Sequence, residues 1–144
     1  MAELVEFKRI SFDVVRVGEE FMSDDFLIKP EDVETFAFAV DDHHPWYFKE
    51  SPFGGTIAHP VLLGNQALMM RHSRYIIPAG LHAKMQFEFV EPVRAGMRVR
   101  TYGKVIDKFE KRGKHYMVTE FATREEATGT VLTRGQFTQM LFKD

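Results

Sequence analysis

Residues 53–70 read Phe53-Gly54-Gly55-Thr56-Ile57-Ala58-His59-Pro60-Val61-Leu62-Leu63-Gly64-Asn65-Gln66-Ala67-Leu68-Met69-Met70. Paired glycines suit a tight turn and let a ligand approach the backbone closely. Proline fits the first turn of a helix, where its missing N–H costs nothing. From about Pro60 to about His72 the apolar residues Val61, Leu62, Leu63, Ala67, Leu68, Met69 and Met70 leave almost no polar side. A helix of that composition is buried on most of its surface.

On the amino-terminal side, Lys29-Pro30-Glu31-Asp32 reads as a helix start, with proline and two acids in the first turn. Val33, Phe36, Ala37 and Val40 then recur at helical spacing and form one apolar stripe. Asp41-Asp42-His43-His44-Pro45 ends that helix, because Pro45 pushes His44 out of helical geometry. Pro78-Ala79-Gly80 closes this half. From Leu81 the period switches to two. Met85, Phe87 and Phe89 alternate with Lys84, Gln86 and Glu88, and Arg98–Lys108, His115–Arg124 and Thr130–Phe142 follow in the same style. Turn signals at Glu91-Pro92 to Gly96, Lys111-Arg112-Gly113 and Ala127-Thr128-Gly129 separate them. The expected fold is α+β, an antiparallel sheet curved around one long buried helix, in a single domain over residues 1–144.

The 144 residues carry a net charge of −2, which disfavours a general nucleic-acid binder. There are no cysteines, so disulfides, thiolate nucleophiles and Cys-based metal sites are excluded. No apolar run approaches the ~20 residues of a membrane span. MAELVEFKRI interleaves charge with apolar residues and lacks a signal peptide's core. The expectation is a soluble, cytoplasmic protein without a membrane or nucleic-acid partner. His43 beside His44 is a poor metal pair, because adjacent side chains diverge; no metal and no cofactor are expected.

Two segments carry a resemblance. Asp42-His43-His44-Pro45-Trp46-Tyr47 resembles the D-x-N-P-x-H motif, and Phe53–Pro60 resembles the G-G-x-I-A-H-G segment, of the MaoC-like family of (R)-specific enoyl-thioester hydratases and hydroxyacyl dehydratases. KPEDVETFAFAV and PVRAGMRVRTYGKV are similar in layout, so the likeness covers essentially the whole chain. It implies a hotdog fold, a thioester of coenzyme A or a carrier protein as substrate, and a homodimer or dimer of dimers with sites between protomers. In that family the motif's Asp and last His form the catalytic dyad. Asp42 matches the first, whereas Tyr47 stands at the histidine, His44 at the asparagine and Pro60 at the glycine whose N–H polarises the thioester carbonyl.

Adding water to an enoyl thioester needs a base, an acid and support for the enolate oxygen. Asp42 with His44 or His59 supplies the right chemical types. N–H groups from Val61 onward, at the positive end of the helix, are expected to hold the oxyanion. Tyr47, Gly55, Pro60 and Val61 are the expected substrate-binding residues. Each has a structural reading as well. Asp42 can terminate a helix, His44 can orient a loop, His59 can satisfy backbone groups, and Tyr47 can pack with a wet hydroxyl. His72, His82 and His115 read as structural or exposed, and the Lys108–His115 tip as a solvated hairpin end. Two alternatives to the hydratase stand: another hotdog enzyme, such as a thioesterase or an isomerase or dehydratase of a specialised pathway, or a non-catalytic acyl-binding partner subunit.

Overall fold

A computed structural model describes residues 7–78 and 80–142. The first six residues of MAELVEFKRI and Ala79 of the Pro78–Gly80 segment lie outside the described residues. The elements run β1 (Lys8–Arg9), β2 (Glu20–Met22), β3 (Phe26–Leu27), α1 (Pro30–Ala39), α2 (Leu62–Met69), β4 (Tyr75–Ile76), β5 (Leu81–Phe89), β6 (Arg98–Lys111), β7 (Lys114–Glu125) and β8 (Val131–Leu141). Short 3-10 turns cover Pro45–Tyr47 and Met70–Ser73.

The large sheet is antiparallel in the order β2-β6-β7-β8-β5, with β3 pairing the start of β6. The period-two segments form it, each within a few residues of the expected bounds. Along β6 the residues Val99, Thr101, Gly103 and Val105 point inward, as do Met117, Thr119, Phe121 and Thr123 of β7. One row crosses four strands as Gly103, Phe121, Gly135 and Phe87. Small and large side chains alternate along it. A Cβ on Gly103 would collide with the Met70 side chain, and one on Gly64 would lie 2.7 Å from the Phe87 ring. Those glycines let α2 settle onto the sheet, which outweighs the ~1 kcal/mol that a glycine costs inside a helix.

Helix α2 has eight residues and the following 3-10 turn extends the helical path to Ser73. Its Leu63, Gly64 and Ala67 are buried. Val61 and Met69 are 41% and 49% exposed, so the single chain leaves one face of this apolar helix uncovered. The helix joins two core clusters: Leu63 packs with Val33, Ala37, Tyr47 and Ala58, while Ala67 and Met70 pack with Phe121 and Phe137. Burial of a leucine such as Leu63 contributes about 1.5–3 kcal/mol. That contact fixes the start of α2 against α1.

Helix α1 buries Val33 and Ala37 and half-buries Phe36, but Val40 lies past its end and is 44% exposed. The helix stops at Ala39, well before Pro45. Asp41 adopts φ +53°, and the N–H groups of Asp41 and Asp42 donate to the oxygens of Phe38 and Ala37 at 3.1 and 2.9 Å. This is a Schellman ending with aspartate in the left-handed position. Proline only keeps the following segment extended. Among the described residues no helix is long and apolar enough to cross a membrane.

Candidate active site

The Schellman turn aims the Asp42 side chain across the next loop. Asp42 Oδ1 accepts from the His44 N–H at 3.3 Å. His44, extended before proline, turns its ring back so that Nδ1 accepts from the Trp46 N–H at 3.2 Å and caps the Pro45–Tyr47 turn. That turn buries Tyr47 and brings its hydroxyl to Asp42 Oδ2 at 3.4 Å. Burial, followed by the charge and hydrogen bond of Asp42, raises the Tyr47 pKa above the ordinary phenol value. The hydroxyl therefore remains a donor.

The second segment is tied to the first by backbone. The Ile57 N–H donates to the Trp46 oxygen at 3.0 Å, and the Ala58 N–H donates to Val93 at 2.7 Å. His59 is thereby held with Nε2 3.4 Å from Asp42 Oδ2. Its Nδ1 accepts from the Val61 N–H at 3.2 Å, so in the neutral ring the proton sits on Nε2, the nitrogen 3.4 Å from Asp42 Oδ2. The ring packs between Phe36 and Tyr47, with centroids 5.4 and 5.7 Å away. Asp42 and His59 side chains are 42% and 20% exposed, so the pair is only partly shielded from solvent.

The structure thus brings Asp42, Tyr47 and His59 together. His44 packs its ring against Trp46 and Tyr47, with centroids 4.9 and 5.8 Å away, and its engaged Nδ1 orients the turn. Val61 was expected to offer a free N–H; that group donates to His59, and the Leu62 N–H donates to the His59 oxygen at 2.9 Å. The Gly55 N–H donates to Glu50 Oε1 at 2.7 Å, and Gly54 and Gly55 have φ of +89° and +83°, so this loop is a turn closed by a carboxylate. Glu50 and Phe36 were not singled out from sequence: Phe36 reads as ordinary core, and no spacing rule marks Glu50. His43 turns away to Asp41 Oδ1 at 2.9 Å. The hairpin tip is less solvated than expected, since Lys108 donates to the Phe12 oxygen at 2.7 Å and His115 packs on the Phe12 ring.

Residues 15–134 match the model of a family described as FAS1-like, dehydratase domain region. No curated protein matches the chain in sequence. In structure it is similar to the R-hydratase of Pseudomonas aeruginosa, at 19% identity and a TM-score of 0.82 over 94% of this chain and 88% of that one. It is also similar to a MaoC-like dehydratase from Rhodospirillum rubrum, at 17% identity and a TM-score of 0.78 over 94% and 98% of the two chains. A third likeness is to the HadBC (3R-hydroxyacyl-ACP dehydratase) complex of Mycobacterium tuberculosis, at 21% identity and a TM-score of 0.75 over 86% and 96%.

Proposed function

The chain belongs to the FAS1-like dehydratase-region family and has the hotdog fold of MaoC-like proteins, and from that premise we propose that it is a hydro-lyase acting on acyl thioesters. Its substrate class is an enoyl thioester, hydrated to the 3-hydroxyacyl thioester, or the reverse; the carrier is coenzyme A or a carrier protein. One observation carries the reading: the hydroxyl of Tyr47 and Nε2 of His59 converge on the same oxygen of Asp42, each at 3.4 Å. His59, arriving from the second motif, supplies the imidazole that the family's first motif provides at the position of Tyr47.

In hydration, the Asp42–His59 pair takes a proton from water as the water oxygen bonds to C3. The C2=C3 electron pair moves to C2 and onto the thioester oxygen, and the pair returns that proton to C2. Nothing is oxidised and both side chains are restored. Tyr47 and His59 hold the charge on one carboxylate oxygen while the His44 N–H pins the other, so the base is oriented before substrate arrives. General acid–base catalysis contributes roughly 10²–10⁴-fold. Asp42→Asn and His59→Ala are accordingly each expected to lower kcat/KM by about 10²–10⁴ on crotonyl-CoA or longer enoyl-CoAs, followed by loss of enoyl absorbance. The reading fails if the folded wild-type protein turns over no enoyl chain length, or if Asp42→Asn is as active as wild type.

Pro60, which has no N–H, and the engaged N–H of Val61 favour a second reading. The chain is then an acyl-binding subunit beside a second chain that polarises the carbonyl. Enoyl-CoA binding without turnover, unchanged by Asp42→Asn, is its signature. Release of free thiol would instead mark a thioesterase.

A further inference from the structure

At the end of α2 remote from His59, Arg71 is only 7% exposed. Its Nε donates to the Leu68 oxygen at 3.1 Å, so the guanidinium caps the negative end of the helix. Its Cζ lies 5.1 Å from the centre of the Phe137 ring. Among the described residues Nη1 of Arg71 is buried without a hydrogen-bond partner, and so is Oε1 of Gln139, a residue 5% exposed. Burial lowers the Arg71 pKa to about 10, and among the described residues no carboxylate offsets it. Both residues line one cavity of about 100 Å³, with Leu68, Gly80, His82 and Phe137. Gly80 and His82 are exposed and form its mouth. His82, read from sequence as structural or exposed, therefore borders a cavity.

Buried polar atoms are nearly always satisfied, and two unpartnered ones on side chains that line one small space point to an occupant. Water satisfies dipoles but leaves a buried cation without a counter-charge. The volume exceeds the roughly 30 Å³ share of a single water, enough for a planar group of a few heavy atoms. A guanidinium fork matches a carboxylate, and a half-turn of the Gln139 amide brings its NH₂ to the cavity as a second donor. A Cβ on Gly80 would collide with Gln139 Nε2, so only glycine leaves that amide in place. We propose that this cavity binds a small carboxylate, held by Arg71 Nη1 and the Gln139 amide beside the Phe137 ring. The site is separate from Asp42 and does not depend on the hydro-lyase reading.

The full chain is titrated with sodium acetate against sodium chloride at equal ionic strength, by calorimetry and thermal unfolding. Wild type is expected to bind acetate saturably and to gain Tm with acetate only. Arg71→Met removes the unpaired buried cation, so it keeps or raises Tm without acetate and loses the acetate response. Gly80→Ala, which crowds Gln139, and Arg71→Lys, which keeps charge but not the fork, weaken acetate at least tenfold. Butyrate and hexanoate identify the source while leaving the site standing: weaker binding with length marks a free small acid, tighter binding marks the carboxylate end of a longer ligand. Equal effects of acetate and chloride, or an undiminished acetate response in Arg71→Met, overturn the proposal.

Discussion

Tyr47 and Tyr75 are phenols held neutral for the same reasons in different places. Burial comes first for each; a carboxylate beside the hydroxyl comes next, chiefly through its charge for Asp42 at Tyr47 and through its hydrogen bond for Glu19 at Tyr75. The Tyr75 pKa is pushed well above the ordinary phenol range. A raised folded-state pKa means that the unfolded chain ionises first as pH rises. The stability from each neutral phenol is therefore whole below about pH 10 and is lost as pH climbs through the folded-state value. Tyr75→Phe is expected to be less stable than wild type near pH ~8, with the gap narrowing by about pH 11. Urea midpoints at the two pH values check this, and a gap that stays constant or widens refutes it. At this scale the sequence showed Asp42, Tyr47 and His59 because they fall in two short motifs. It did not show that Tyr47 and His59 reach one oxygen, since that depends on the Ile57-to-Trp46 and Ala58-to-Val93 backbone bonds. Arg71 and Gln139 were invisible, one an ordinary basic residue at a helix end and the other a polar residue in a strand.

The β6–β7 hairpin closes through Arg112 and Gly113, with φ of +53° and +74°. Two left-handed residues make the turn whose twist matches the flanking strands. Glycine adopts it freely, but arginine meets the Cβ penalty that asparagine largely avoids. Arg112→Asn is expected to stabilise the protein by about 0.5–1 kcal/mol, read as a raised denaturation midpoint with enoyl-CoA turnover unchanged. A lowered midpoint contradicts that account of the turn. Strand bounds and this turn were legible because period two and glycine are local signals. The place where α1 ends was legible in Asp41–Pro45, but its cause was not: Pro45 is conspicuous in the sequence, yet the left-handed Asp41 ends the helix. The Gly103-Phe121-Gly135-Phe87 row was equally hidden, because register across four strands is a property of pairing rather than of any one segment.

Across the whole molecule the sheet has unequal edges. Strand β2 has three residues at one end of the path, whereas β5 has nine residues at the other and, among the described residues, pairs only with β8. Leu81 and Phe89 at the two ends of β5 are 57% and 49% exposed, and Val90 beyond it is 40% exposed. A long unpaired edge with apolar ends is a template for another strand unless something covers it. Lys84 and the Glu88–Arg134 ion pair, with contacts at 2.9 Å, add charge along its middle but leave its backbone groups available. We therefore expect two copies to pair through β5, extending one sheet across both. Light scattering on a sizing column at micromolar concentration should give twice the 16.7 kDa of a single chain, or four times if such pairs associate again. Leu81→Lys with Phe89→Lys places like charges along the shared edge and should release single chains that keep their far-ultraviolet spectrum. Wild type running as one copy would remove the pairing altogether, and a double variant that stays paired would move the interface away from β5.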